Sequence, residues 1–463
     1  MSREAIAQKS GSTGFVIKLT IVAALGGLLF GYDTAVIAGV IDLIKIKFDL
    51  SPAMEGWAAS CAIWGCIVGS STAGYLSDRF GRKTILIVTA LLFGISSIGA
   101  AVPSSLTEFV IFRIIGGVGI GAASMLSPLY ISEIAPANIR GKLVSVYQLA
   151  IVIGINLIYF VNLKIAALGE LEWKVETGWR YMIASGLLPS LLFLVLLFIV
   201  PESPRWLIKK NRSDEAIDTL ERVNGKDEAQ AVVQEVKESL GHEEGTVGEL
   251  FKPGLRKAMI VGAVLALFSQ ITGINAIIYY GPKIFASAGA TGDGPLLFTV
   301  IIGCINTVFT FIAIGFIDKL GRKTLLLWGV AGMIISLIGT AYCFLTGAGA
   351  VWLMAFIFIY IASFAASLGP IPWVIISEIF PTKTRGIAMS FATTILWLGV
   401  VLITQFTPIM LDETTWGGTS ARAAAFTFIL FAVNGVILWL FTKIRIPETK
   451  QKTLEEIEAS WTK

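Results

Sequence analysis

Twelve stretches of this 463-residue chain stay apolar for about as long as a bilayer is thick. A helix rises 1.5 Å per residue, so crossing the ~30 Å hydrocarbon core takes about 20 apolar residues. The stretches lie near 15–40, 54–76, 84–103, 107–132, 142–166, 181–200, 258–288, 294–317, 324–346, 350–377, 386–410 and 422–444. Only 15% of the residues are charged, against about 25% in soluble globular domains. The chain therefore reads as an all-α membrane protein of twelve transmembrane helices. A β-barrel would show shorter segments alternating in polarity. The first stretch is not expected to be a cleaved signal, because its polar leader is short, its apolar part long, and no small-x-small site ends it.

Charge sets the orientation. Lys and Arg crowd 79–83, 140–142, 205–212, 319–323, 383–385 and 443–452, whereas 104–108 and 347–349 contain none. By the positive-inside rule the basic loops are cytoplasmic. This predicts a multi-pass protein of the cell membrane with both termini inside. The net charge of +4 belongs to these loops and calls for no nucleic-acid partner. The single histidine, His242, lies in a polar stretch, which argues against histidine-centred catalysis or a histidine metal site. Cys61, Cys66, Cys304 and Cys343 all fall within spans, without metal-ligand spacing, and are expected to be buried packing residues. No phosphate-binding loop is present. The string GVGIGA (117–122) resembles a nucleotide fingerprint but sits inside a span with no strand before it, where small residues serve close helix packing. No enzyme activity, cofactor or metal is expected.

The chain repeats itself. DRFGRK at 78–83 returns as DKLGRK at 318–323, SEIAPANIRG at 132–141 as SEIFPTKTRG at 377–386, and PES at 201–203 as PET at 447–449, at offsets of 240, 245 and 246 residues. Parallel six-helix repeats are an architecture of secondary transporters. The expected division is a six-helix bundle over 1–200, a cytoplasmic helical linker over 201–257, a second bundle over 258–446 and a tail over 447–463. Within the linker, Ser213 is positioned to cap a helix with Ile217, Leu220 and Val223 on its apolar side and Asn224-Gly225 as its stop. A second helix is expected over 227–240. In the repeated motifs the Gly permits a tight turn, and Asp78 can meet basic residues or a helix N-terminus. Glu133 and Arg140, like Glu378 and Arg385, are seven residues apart, which puts each pair on one side of a helix. With Asp78, Arg82, Asp318 and Arg322 they form a duplicated set of charges at the inner mouth. Ion pairs made across that mouth would hold one conformation closed and break in the other; ordinary topology charges are the plainer reading.

Two charges lie deep in spans. Asp33 interrupts GGLLFGYDTAVIAGV, at a cost of about 2.5–3.5 kcal/mol on insertion scales. Arg113 interrupts FVIFRIIGGVG. The two are expected to meet across the first and fourth helices, as a structural pair or as a switch. In the switch, Asp33 stays ionised while Arg113 is near and takes a proton when Arg113 withdraws. Elsewhere the spans hold amides (Gln148, Gln270, Asn275, Asn306), which suit hydroxyl groups or glue helices together. They also hold aromatics (Phe30, Tyr279, Tyr280, Phe364, Trp373, Trp397), which suit an apolar C–H face. Gly273 lies between Gln270 and Asn275, where a helix break would turn both toward a cavity.

These motifs, with RIIGGVGIG, YISEIAPANIRGKLVS, GWRYM, PESPRWL, QITGINAIIYY, GPIPWVIISEIFP and PETKQKTLEEIE, resemble the sugar porters of the major facilitator superfamily from about residue 20 to 460. The likeness is nearest to the bacterial proton-coupled xylose symporters, with some positions closer to facilitative glucose transporters. It implies two six-helix bundles rocking around a central sugar site, with sugar-contacting positions at Gln148, Gln270, Asn275 and Trp373. It also implies proton coupling at Asp33, where facilitative members tend to carry Asn. The expected partners are a neutral monosaccharide, protons and the bilayer, and the chain is expected to act as a monomer. A facilitative sugar or polyol uniporter is the alternative. Three positions depart from the symporter pattern: Ser269 and Ile155 stand where glutamines occur, and Leu396 replaces the amide before Trp397.

Overall fold

The computed structural model describes residues 12–136, 139–240, 248, 253–287, 289–292, 294–380, 385–416 and 419–448. Among these every regular element is helical. The first bundle comprises α1 (Thr13–Phe48), α2 (Pro52–Phe80), α3 (Arg82–Gly99), α4 (Leu106–Ile134), α5 (Arg140–Ala166) and α6 (Leu171–Leu197). Three short helices follow: α7 (Pro204–Lys209), α8 (Ser213–Asn224) and α9 (Lys226–Leu240). In the second bundle, α10 (Pro253–Ile271) and α11 (Ile274–Ser287) share the seventh span. Then come α12 (Gly294–Leu320), α13 (Arg322–Thr346), α14 (Ala350–Ala366) with α15 (Ile371–Glu378), α16 (Arg385–Met410) and α17 (Ser420–Arg445).

Eleven of the spans are long and apolar enough to cross a membrane by length and composition. The twelfth, α2, is a 29-residue helix rich in Gly, Ser and Ala. Its small residues are spent on a neighbour rather than on lipid. A Cβ added at Gly65 or Gly69 would run into the α4 carbonyls of Ile114 or Val118, and one at Gly117 or Gly121 into those of Ala62 or Cys66. The GVGIGA string is thus one side of a backbone-to-backbone helix contact. Helices α1 and α5 approach in the same way through Gly31 and Gly154.

The turn between α2 and α3 shows what the PES and PET motifs do. Gly81 has φ +103°, a backbone that favours glycine. The freed N–H groups at the start of α3 donate to a carboxylate from the far end of the bundle: Arg82 N to Glu202 Oε1 at 2.9 Å and Lys83 N to the same oxygen at 3.1 Å. A side chain at Gly81 would collide with that carboxylate. The second bundle repeats the device. Gly321 has φ +89°, and Arg322 N and Lys323 N donate to Glu448 at 3.0 and 3.1 Å. Each acid satisfies orphan donors at a positive helix end.

Several boundaries differ from expectation for identifiable reasons. Helix α1 runs past residue 40 to Phe48 and carries Asp42, Lys45 and Lys47 beyond the apolar run. Helix α6 begins at Leu171 rather than 181, because an amphipathic turn passes through a π-helical stretch (Lys174–Gly178) before burying Trp179. The seventh span breaks at Thr272-Gly273, with Gly273 at φ +101°, as the glycine suggested. The tenth span also breaks, at Ser367–Pro370, where the carbonyl of Phe364 accepts from Ser367 N and Gly369 N. In the linker, Leu220 and Val223 are buried, and Ile217 packs against the apolar cluster that holds Leu220. Gly225 stops α8 at φ +91°. The α8 cap is Arg212, without a side-chain cap bond, so Ser213 is the first helical residue and not the cap. Cys61, Cys66 and Cys343 are buried as expected, but Cys304 is exposed, its thiol beside the amide of Asn156. His242 and residues 449–463 lie outside the described residues.

Candidate functional site

Arg113, on α4, is 2% exposed and meets Asp33 of α1. One guanidinium nitrogen donates to both carboxylate oxygens, at 2.8 and 2.9 Å, and another donates to the Asp33 carbonyl at 3.3 Å. The Nε–H has no acceptor among the described residues. Such a pair in a dry site is sustained only while it stays whole, because removing one partner strands the other charge.

The amide cluster forms at the break in the seventh span. Because Gly273 turns the chain there, the last turn of α10 and the first turn of α11 face one another. Asn275 Nδ2 donates to Gln270 Oε1 at 2.7 Å, and Gln270 Nε2 donates to Ser269 Oγ at 3.0 Å. Helix α16 closes on this cluster, with Gly399 against the side chain of Gln270. Two residues earlier on α16, Trp397 is buried, its indole N–H lacks an acceptor among the described residues, and its ring centroid lies 5.4 Å from that of Phe30. That contact joins the first bundle to the second at the level of the amides. Gln148 on α5, Phe364 on α14 and Trp373 on α15 are each half-buried. Asn306 on α12 is buried and accepts from Thr310 Oγ1. Among the described residues no side-chain hydrogen bond or ring contact joins these four to the Gln270 cluster or to one another. Tyr280 spends its hydroxyl on the carbonyl of Thr404 at 2.7 Å and is fully buried, so it serves packing between α11 and α16.

At the basic end, Arg82 gathers two acids of its own bundle. It donates to Asp78 at 2.6 Å and to both oxygens of Glu133 at 3.1 and 3.2 Å. Ser203 also donates to Glu133, and Lys209 of α7 donates to Asp78 at 3.1 Å. The linker is thereby tied to the first bundle, where the indole of Trp206 also donates to the Asp78 carbonyl. Burial holds the Glu202 carboxyl above the usual carboxylate range, with the N–H groups of Ser203, Lys83 and Arg82 pulling it back. Arg140 is exposed. Arg322 takes part in interactions of the matching corner in the second bundle. The side chains of Asp318, Glu378 and Arg385 lie outside the described residues.

The opposite end holds residues that sequence reading passed over. Glu55, at the start of α2, is fully buried between Lys45 of α1 and Lys283 of α11. Gln405 of α16 accepts from Ser60 at 2.8 Å and donates to the carbonyl of Ala53 at 3.0 Å. Tyr159 of α5 donates to the carbonyl of Ile278 at 2.8 Å. All of these contacts except Lys45–Glu55, which lies within the first bundle, cross between the bundles. Glu55 stands only three residues beyond the α2 N-terminus, where an acid reads as an ordinary first-turn charge. Its signal was its position at the rim of an apolar run with lysines at 45 and 283.

With this geometry in view, the chain can be placed among known proteins. Residues 19–461 match the family described as "Sugar (and other) transporter". The arabinose-proton symporter of Bacillus subtilis is 46% identical over 458 residues, covering 98% of this chain and 97% of that protein. The D-xylose-proton symporter of Escherichia coli is 42% identical over 477 residues, covering 97% and 96%. The structure of the proton:xylose symporter XylE bound to 6-bromo-6-deoxy-D-glucose superposes with a TM-score of 0.84 at 42% identity, covering 97% of this chain and 99% of that one. The helix order, the paired bundles and these full-length likenesses lead to one assignment: the chain belongs to the sugar transporter family of the major facilitator superfamily.

Proposed function

We propose that this chain imports a neutral monosaccharide together with protons by alternating access. The observation that carries the coupling is the Asp33–Arg113 pair, a carboxylate held inside a span by a single cation. While Arg113 is in place the carboxylate needs no proton. When the bundles move and Arg113 withdraws, the cheapest escape from an unpaired buried charge is protonation. Conformation and proton binding are then one equilibrium, as symport requires.

The sugar site is assigned to Gln148, Gln270, Asn275, Asn306, Trp373, Trp397, Phe30 and Phe364. The amides supply donors and acceptors for hydroxyls, and the rings cover the C–H faces. With Arg113 committed to Asp33, a sugar acid or phosphate would find no counter-charge there. Ile155 and Leu396, both buried, make two walls apolar. We assign the basic end to the cytoplasm and divide the chain at 200, 257 and 446. Glu133, Arg140, Glu378 and Arg385 then belong to an inner gate, with Asp78, Arg82, Asp318 and Arg322 bracing it. The exposure of Arg140 and the bonds between bundles at the far end fit a conformation closed outside and open inside. The protein is proposed to act as a monomer in the cell membrane.

The test is uptake by proteoliposomes of wild type and Gln148→Ala, with and without an imposed proton gradient, over pentoses, hexoses, polyols, glucuronate and glucose 6-phosphate. Accumulation of a neutral sugar above equilibrium only under an inward proton gradient is expected. A net hydrogen bond is worth about 0.5–1.5 kcal/mol, so Leu396→Gln is expected to tighten xylose binding severalfold, and Gln148→Ala to weaken every sugar. Gradient-independent equilibration would make the chain a uniporter. Preference for the charged compounds would overturn the site.

A further inference from the structure

The structure assigns a second charged contact to the transport cycle: Glu55 and Lys283 form the ion pair that latches the extracellular seam. Glu55 is fully buried. Its Oε1 accepts from Lys283 of the second bundle at 2.6 Å, and its Oε2 lies 2.8 Å from Lys45 of the first. The residues around it lie in the same seam. A Cβ at Gly56 would strike the carbonyl of Gln405, the Ala53 carbonyl accepts from the Gln405 amide, and Ser60 donates to the Gln405 side chain. Glu55 is thus enclosed because the two bundles meet there, and parting them would return it to water.

The asymmetry of its two cations gives the latch a direction. Lys45 is on α1, in the same bundle as Glu55. Lys283 is on α11, whose opposite end carries Asn275 of the sugar site. Between them α11 is kinked at Tyr280, which has φ −118° and ψ 17° and precedes Pro282. Closing the seam removes the carboxylate from water, a cost that Lys283 offsets only in the closed state. Opening it carries Lys283 away with α11, while Lys45 stays and keeps Glu55 paired. Asp42 and Asp412 also act on this cluster through their charges, Asp412 from the loop after α16. Glu55 and Lys283 are positioning residues: they touch neither sugar nor the coupling proton, and they set how much of the protein faces inward.

This inference rests on the proposed alternating access, and its test reads conformation separately from transport. Spin labels at Leu168→Cys and Val351→Cys, both exposed at the extracellular end of different bundles, report the width of the seam. Cys304, the exposed native thiol, is replaced by serine. Removing one partner of a desolvated pair generally costs enough to move an equilibrium by about tenfold or more. Lys283→Gln and Glu55→Gln are each expected to shift the distance distribution about tenfold toward the wide form. The double variant is expected to move no further than either alone. Lys45→Gln is expected to shift it less than Lys283→Gln does, because Lys45 stays beside Glu55 in both states. A general loss of packing would move all three variants alike. Unchanged distances in well-folded Lys283→Gln, or widening by Lys45→Gln equal to that of Lys283→Gln, would overturn the latch. Absence of sugar uptake by wild type would overturn the transport reading instead, and that is read in the separate uptake assay.

Discussion

Replacing Asp33 by Asn removes a charge at nearly constant volume, and the structure supplies the energies. Arg113 holds the carboxylate at 2.8 and 2.9 Å while being 2% exposed. Unit charges about 4 Å apart attract by about 4 kcal/mol at an effective dielectric constant near 20. Asp33→Asn leaves an arginine that cannot shed its proton, and breaking a buried pair in this way costs about 3–5 kcal/mol. The cost is the same at any working pH. Arg113→Ala strands a carboxylic acid instead, which can be neutralised by binding a proton. Unfolding of the two variants in detergent, followed at pH 7.5 and pH 5, is expected to show recovery toward wild type for Arg113→Ala and none for Asp33→Asn. In proteoliposomes Asp33→Asn is expected to exchange sugar across the membrane yet fail to concentrate it under an inward proton gradient. Uphill accumulation by Asp33→Asn, or equal pH responses of the two variants, would refute the reasoning.

Three further outcomes follow from the packing. Gly56→Leu drives a side chain into the Gln405 carbonyl, so it is expected to hold the seam open; spin-label distances should lengthen and uptake should fall at least tenfold while the protein still folds. At the basic end, Glu202→Ala leaves the N–H groups of Arg82 and Lys83 without their acceptor, an expected loss of about 1–3 kcal/mol. Glu202→Gln keeps an acceptor oxygen and removes a carboxylate whose ionised form burial disfavours. It is expected to match or exceed wild type at pH 7. That advantage shrinks as pH falls through the raised carboxyl value and wild type becomes neutral there too; chemical denaturation at pH 7 and pH 4.5 checks the sign.

The helices announced themselves because lipid imposes a simple rule: every residue facing it is apolar, and each crossing takes about 20 of them. Asp33 and Arg113 stood out for the same reason, as charges where lipid allows none. The break at Gly273 was also readable, because a glycine between two amides marks a place where side chains are wanted and a helix is not. The seam was not readable. Glu55, Lys45 and Lys283 sit at helix ends, where charges are ordinary, and only the packing of α1, α2 and α11 removes Glu55 from water. Which neighbour α2 meets was not readable either: Gly65 and Gly69 face α4 whereas Gly56 faces α16, and a sequence does not state which face meets a neighbour. PES and PET were visible as a repeat, but their use depends on a contact across 120 and 126 residues of chain.

Those same separations order the events of synthesis. The amides of Arg82 and Lys83 leave the ribosome long before Glu202, and through the making of four spans the turn that joins α2 to α3 has no acceptor. The first bundle is sealed when residue 202 arrives, and no span of the second bundle yet exists at that moment. The second is sealed only by Glu448, after its last span. Each bundle therefore carries its own closing piece at its own end, so a duplicated gene would inherit two complete units. A chain severed between residues 241 and 252 is expected to yield two fragments that insert separately and reassemble. A cut between α3 and α6 would part the amides from the acid that stops them.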